Sequence, residues 1–144
     1  MYKNILIPLD LNEESSWKKA LPVALDWAKH YGAEVHVVSV LPDFGKSLVG
    51  GFFKREFEKE ALAKARNALE ELLDNELPDE ESVKVKGHIA HGTIYEEIIK
   101  AADKFGCDLI ILSSHRPELQ DYLLGPNAAR VVRHANQSVL VVRD

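Results

Sequence analysis

CDLIILSSHRPELQDYLLGPNAARVVRHANQSVLVVRD, residues 107–144, reads as strand, loop, helix, strand. Residues 108–112 (DLIIL) are a short apolar run, and the polar turn 113–117 (SSHRP) takes the chain out of it. Pro126 stands one residue after Gly125, where a missing N–H breaks no helical bond. A helix is therefore expected to open there and to run to about Ala135. Residues 138–143 (SVLVVR) return as a β-branched strand. Between the two strands, a loop with unpaired amides meets the start of a helix. Both the amides and the helix dipole favour an anion there, so this is where a phosphate is expected.

Upstream, the same alternation of strand and helix continues. Residues 3–9 (KNILIPL) give a first strand whose nearly unbroken apolar run suits burial on both faces. Capping residues and early acids at 12–16 predict a helix. Its apolar positions Trp17, Ala20, Leu21, Ala24, Trp27, Ala28 and Tyr31 follow the helical period, and Gly32 ends it. Pro22 is then expected in the first turn or at a mild kink. Residues 34–41 form the second strand, and 43–51 a loop with three glycines. A long amphipathic helix over 52–77 turns Phe53, Phe57, Ala61, Ala65, Ala68, Leu69, Leu72 and Leu73 inward, with Lys59, Glu60, Lys64, Glu70 and Glu71 on its solvated face.

An acidic turn at 78–81 leads to an alternating third strand over 83–90. Thr93 with Glu96 three residues on predicts a capping box, and Ile94, Ile98, Ala101, Ala102 and Phe105 mark that helix's buried side up to Gly106. Five strands separated by four helices, with no repeat and no linker, predict one α/β domain over residues 1–144. The expected architecture is a doubly wound, five-stranded parallel sheet of order 3-2-1-4-5 with helices on both faces. In such sheets ligands gather beyond the carboxyl ends of the strands where the order reverses, here between the first and fourth strands.

The bulk numbers fit that reading. A chain of 144 residues suits one domain, burying roughly 68–70% of its unfolded surface. A formal net charge of −5 argues against nucleic acid as a partner but leaves room for a small anion on a local positive patch. The first ten residues turn polar too soon for a signal peptide, and no apolar run is long enough to cross a bilayer, so no membrane insertion and a cytoplasmic setting are expected. Cys107, the single cysteine, lies at the edge of an apolar strand and reads as a structural thiol.

At the crevice, Asp10 could accept hydrogen bonds from a ribose or base, or hold Mg²⁺ through water; it could equally cap the turn that follows its strand. Ser113 and Ser114 could give hydroxyls to a phosphate or simply turn the chain. Arg116 suits a pair of phosphate oxygens, against the plain reading of a surface arginine. Gly125 permits close backbone approach, and the amides of Asn127 and Ala128 can face an anion whereas Pro126 contributes none. His115 could bond the loop or the ligand. The other histidines, His30, His36, His88, His91 and His134, show none of the spacing with carboxylate or cysteine partners that zinc needs. No Walker lysine loop, G-x-G-x-x-G or Ser-His-Asp order is present.

With ILIPLD at 5–10 and SSHRPELQDYLLGPNAARVVRHANQSVLVVR at 113–143, the chain resembles the universal stress proteins across essentially its whole length. It is most similar to the nucleotide-binding F/G type, through Ser114–Pro117 (SHRP) and Tyr122–Gly125 (YLLG). The family's phosphate signature is glycine, two residues, glycine, nine residues, glycine and then Ser or Thr. Ser113 and Arg116 stand at its first two glycines, eight residues separate Arg116 from Gly125, and Pro126 takes the place of the Ser or Thr.

The resemblance implies a five-stranded α/β stress or regulatory protein that binds ATP, or AMP or ADP, with Mg²⁺ as a candidate companion ion. Turnover would be slow or absent, at most weak ATPase or autophosphorylating activity. Pro8, Leu9, Asp10 and Val40 stand where the family contacts base and ribose, and Ser113, Ser114, His115, Arg116, Gly125, Pro126, Asn127 and Ala128 where it meets phosphates. It further implies a homodimer, or a higher oligomer, paired through strand 138–143; an exposed edge of strong β propensity there points the same way. The rival reading is a dimeric adaptor that regulates a partner protein without nucleotide.

Overall fold

The computed structural model describes residues 1–42, 51–78, 82–114 and 126–143, with backbone alone for 51–54. Strand β1 (Asn4–Leu9) leads through a single 3-10 turn (Glu14–Ser16) to helix α1 (Ala20–Tyr31) and strand β2 (Glu34–Pro42). Helix α2 (Gly51–Glu76), strand β3 (Val85–Gly92), helix α3 (Ile94–Lys104), strand β4 (Leu109–Ser114), helix α4 (Pro126–His134) and strand β5 (Ser138–Arg143) follow. The strands form one sheet in the order β3-β2-β1-β4-β5, and every pairing is parallel, as the alternation of elements predicts.

Successive residues of a strand point to opposite faces, and here both faces are covered, which is why β1 and β4 are apolar without alternation. Ile5, Ile7, Val35, Val37, Leu109 and Ile111 face α1 and α2, meeting Leu21, Ala24, Leu69 and Leu73. Leu6, Val38, Val40, Ile110 and Leu112 face α3 and α4, meeting Ile98, Ala102, Ala128 and Val131. Each such side chain, fully taken from water, contributes about 1.5–3 kcal/mol. The three inner strands, β2, β1 and β4, therefore supply the strand side of the core.

Several local expectations are corrected. Residues 12–16 do not cap a helix directly. Ser16, fully buried, turns its hydroxyl back on the loop: Oγ accepts from the Asp10 amide at 2.8 Å and lies 2.7 Å from the Glu13 carbonyl and 3.0 Å from that of Asp10. With Ser16 so used, the regular helix begins only at Ala20, and Pro22 falls in its first turn, where amides have no intrahelical partner anyway. Gly32 ends α1 at φ +67°, its N–H on the Ala28 carbonyl, a left-handed cap that glycine adopts without strain.

The Thr93 capping box does not form: Thr93 makes no side-chain cap, and Glu96 Oε1 instead takes the Tyr95 hydroxyl at 3.3 Å. Strand β3 sits two residues further along than the alternation implied, at Val85–Gly92. On α2, Ala65, Leu69 and Leu73 are buried, but Ala68 is exposed and Phe57 is 46% exposed. The side chain of Phe53 lies outside the described residues. Close packing at the other end depends on Gly87, where a Cβ would meet Leu69 Cδ2 at 3.1 Å and Leu73 Cδ1 at 3.2 Å.

Candidate functional site

The sheet forks at the reversal of its strand order. β1 pairs with β4 only at Ile5↔Leu109 and Leu6↔Ile110. Beyond those pairs β1 stays with β2 as far as Leu9↔Ser39, while β4 stays with β5 as far as Ser114↔Arg143. The carboxyl ends of β1 and β4 thus part from one another, each still held by its outer neighbour. Among the described residues no β1–β4 residue pair lies beyond Leu6↔Ile110.

Asp10 stands at the tip of the first prong. Its Oδ1 accepts from the Asn12 amide at 2.9 Å, so the turn-capping role weighed from the sequence is real. The other carboxylate oxygen has no hydrogen-bond partner among the described residues. Ser16 fixes the Asp10 backbone through the bonds described above, a role the sequence did not advertise, because a buried serine after a strand looks like any cap. Beside Asp10 lies an opening of about 690 Å³, lined by Leu11, Asn12, Ser39, Val40, Leu41 and Pro42 from the strand ends. Ala61, Lys64, Ala65 and Ala68 of α2 and Ile94 of α3 complete its walls. Lys64 therefore belongs to the mouth of this opening, and not to a face turned wholly to solvent. Pro8 and Leu9 are buried at the end of β1 and do not line it.

Val40, with Asp10, is thus brought to one cavity as expected. Its walls, apolar with a few polar groups, are of the kind that take a flat, partly polar ligand. Small side chains on α2, one turn apart, keep that wall open.

On the second prong, Ser113 is only 2% exposed and its Oγ has no hydrogen-bond partner among the described residues. A buried hydroxyl without a partner costs roughly 1–3 kcal/mol, so it marks a place where another group belongs. Ser114 is half-buried. α4 runs back from the carboxyl end of β4 towards Ser138, which pairs with Leu109 at the amino end, so its amino terminus faces the fork side of the sheet. There Pro126 is exposed, Asn127 half-buried and Ala128 buried. His115, Arg116 and Gly125 lie outside the described residues.

Elsewhere, Cys107 is buried and its thiol is pushed up to about 12, first by loss of water and then by Asp108 and Glu34; it has no nucleophilic character at neutral pH. Among the described residues no group of three or more His, Cys, Asp and Glu could hold a metal ion. Nor, among them, is any helix long and apolar enough to cross a membrane. Sequence spacing gives no sign that His36 of β2 and His88 of β3 meet. The structure brings them together, Nδ1 to Nε2 at 3.0 Å.

The chain is similar to known proteins over its full length. Universal stress protein G of Escherichia coli O157:H7 is 32% identical over 145 residues, covering 99% of this chain and all of that one. The solved structure of MJ0577, a universal stress protein of Methanocaldococcus jannaschii, superposes with a TM-score of 0.73 at 31% identity, covering 100% of this chain and 97% of its own. A universal stress protein from Archaeoglobus fulgidus, solved in complex with dAMP, shares the fold at a TM-score of 0.59 and 20% identity, covering 97% of each chain. The family model for universal stress proteins matches residues 1–143. With the forked parallel sheet and these likenesses together, the chain belongs to the universal stress protein family.

Proposed function

We propose that this protein is a stress-related regulator that binds an adenine nucleotide, ATP or its mono- or diphosphate, in the fork between β1 and β4, and hydrolyses it slowly or not at all. The observation that carries the reading is the parting of the strands beyond Leu6↔Ile110, with Asp10 on one tip and, on the other, a buried Ser113 hydroxyl without a partner among the described residues. A family relative solved with dAMP supports it. In this reading Asp10 and Val40 receive base and ribose, with Pro8 and Leu9 as the rigid floor behind them. Ser113, Ser114, His115, Arg116, Gly125, Asn127 and Ala128 receive the phosphates, while Pro126 opens α4 without offering a donor, and Mg²⁺ is a candidate companion ion. Among the described residues Asp10 is the only carboxylate lining the opening, and one of its oxygens is engaged in a turn, so among them no second carboxylate stands ready as a base for phosphoryl transfer.

The test is calorimetric titration of the purified protein with ATP, AMP and GTP, alongside native mass spectrometry. Binding of ATP, weakened about tenfold or more in Asp10→Ala and in Arg116→Ala, is the expected result. Absence of any adenine-nucleotide binding by the wild type would overturn the reading and favour an adaptor without nucleotide.

The same spectra test the assembly. β5 is an edge strand whose Val139, Leu140, Val141 and Val142 are all half-buried, and one of its backbone edges has no strand beside it among the described residues. A second copy pairing along that edge would cover it and close by two-fold symmetry. A dimer, or a multiple of it, is the expected mass; a monomer at micromolar concentration refutes it.

A further inference from the structure

On the α3 face of the sheet, at the opposite end of β2 from the opening, three flat rings stack. His88 and Phe105 lie 3.8 Å apart between ring centroids at 17°, His36 and Phe105 5.1 Å apart at 6°, and His36 and His88 5.3 Å apart at 14°. His36 is only 5% exposed. The hydrogen bonds fix where its protons are. Glu34 Oε1 lies 3.1 Å from His36 Nε2, and a carboxylate can only accept, so Nε2 carries the hydrogen. In neutral His36, Nδ1 is then an acceptor, and the hydrogen in the 3.0 Å contact belongs to His88 Nε2. The chain runs His88 to His36 to Glu34, with both imidazoles neutral.

A first added proton can go only to His88 Nδ1. A second, on His36 Nδ1, would set two N–H groups head to head across 3.0 Å, and the pair would have to separate. From this geometry we propose that the His36–His88–Phe105 stack is an acid-sensitive latch: protonating the pair frees Phe105, and with it the last turn of α3 and the β3 edge.

Charges of both signs face the stack: at His36 the pull of Glu34 towards protonation outweighs the push of Lys86, whereas at His88 the cations Lys104 and Lys86 outweigh Glu34. From β2 comes Glu34, which is itself held by Lys86 at 3.1 Å and faced by Lys84 at 3.8 Å, both from β3 or the residue before it. From α3 comes Lys104, its Nζ 5.6 Å from the Phe105 centroid. Arg66, Glu70 and Asp74 of α2 line the groove that reaches His88 along the sheet edge. Beyond Phe105 lies Asp108, which acts on Cys107. Burial is the first reason that both imidazoles are held below the ordinary 6.5; neighbouring cations add to it, against Glu34. The unfolded chain therefore takes up these protons before the folded one does. Stability from the stack is complete above about 6.5 and is lost as the pH falls below it.

The released elements are poised to move. Phe105 caps α3 with its N–H on Ala101, the Cys107 N–H closes onto Ala102, and among the described residues β3 has a strand on one side only. An element so placed opens locally before the central strands do. The inference makes no use of the nucleotide reading and stands or falls apart from it.

The experiment is hydrogen exchange of the full chain at about pH 7.5, 6 and 5, corrected for intrinsic rates. Protection at 85–90 and 101–107 is expected to fall about tenfold or more towards acid relative to β1 and β4. In the His88→Gln variant, whose side-chain amide can donate to neutral His36 Nδ1 or, turned over, accept from protonated His36, no two N–H groups meet head to head, and the relative fall is expected to vanish. An equal fall in that variant, or none in the wild type, overturns the latch. Should the variant not fold, the wild-type imidazole NMR titration decides. Titration in step with the loss of protection sustains the proposal, and an imidazole of the pair titrating at about 6.5 with protection unchanged defeats it.

Discussion

The two ends of β2 meet buried polarity in opposite ways. At its amino end His36 is nearly sealed from water, and both its ring nitrogens are matched, one by Glu34 and the other by His88. At the carboxyl side of the sheet, β1 and β4 run out into a fork where, among the described residues, the buried Ser113 hydroxyl has no partner and Asp10 spends one carboxylate oxygen on its own turn. A buried group whose partners come from the chain adds to the chain's own stability. One left short of partners makes the fold pay until something else supplies them. The same sheet therefore holds a self-sufficient polar cluster and an incomplete one, and only the incomplete one has the marks of a ligand site.

The sharpest way to break this comparison is to attack the residue that holds the fork closed below its branch. Ile110 is fully buried and makes the last β1–β4 pair, with Leu6. Ile110→Ala should lower stability by about 3–5 kcal/mol, measured by urea unfolding. A loss under 1 kcal/mol would mean that the closed part of the sheet is not where stability resides. Next comes the saturated cluster. His88→Ala removes one ring of the stack and the donor to His36, so a loss of about 2–3 kcal/mol is expected at neutral pH. Because the pair must be neutral to contribute, that difference from wild type should shrink as the pH falls below about 6.5. A difference that stays constant from neutral pH to pH 5 would show that packing alone, and not the proton arrangement, is at stake.

The sequence shows the sheet and hides the cluster for one physical reason. Strand order, parallel pairing and the reversal between the first and fourth strands follow from alternating periods and from apolar runs such as Ile5-Leu6-Ile7 and Leu109-Ile110-Ile111-Leu112, which need only local reading. Asp10 and Ser113 could be named because strand tips beside a reversal are known places for ligands. The partnership of His36 and His88 depends on register: Val38 pairs with His88, which sets His36 one step down the same face. Nothing local fixes that register. The failed Thr93 box and the late start of α1 miss for a related cause. In both, a polar side chain that could have capped a helix bonds elsewhere: Glu96 takes the Tyr95 hydroxyl. Ser16 chose the loop after β1, and propensity alone cannot see that loop.

The smallest effect expected is also the one that separates the two halves of the comparison. Ser113→Ala removes a hydroxyl that the described chain leaves without a partner, and alanine leaves a smaller, apolar group in the same place. Since losing an unsatisfied buried polar atom relieves its desolvation penalty, the variant should be more stable than wild type by about 1 kcal/mol, or equal to it, by thermal melting without ligand. If the fork is the nucleotide site, the same change should weaken ATP binding by about three- to tenfold, because the hydroxyl's missing partner is then a phosphate oxygen. Stability up and affinity down from one substitution is the signature of a residue kept for a ligand. Were Ser113→Ala instead to cost stability and leave binding untouched, the hydroxyl would have an internal partner, and the fork would be as self-sufficient as the histidine stack at the other end of β2.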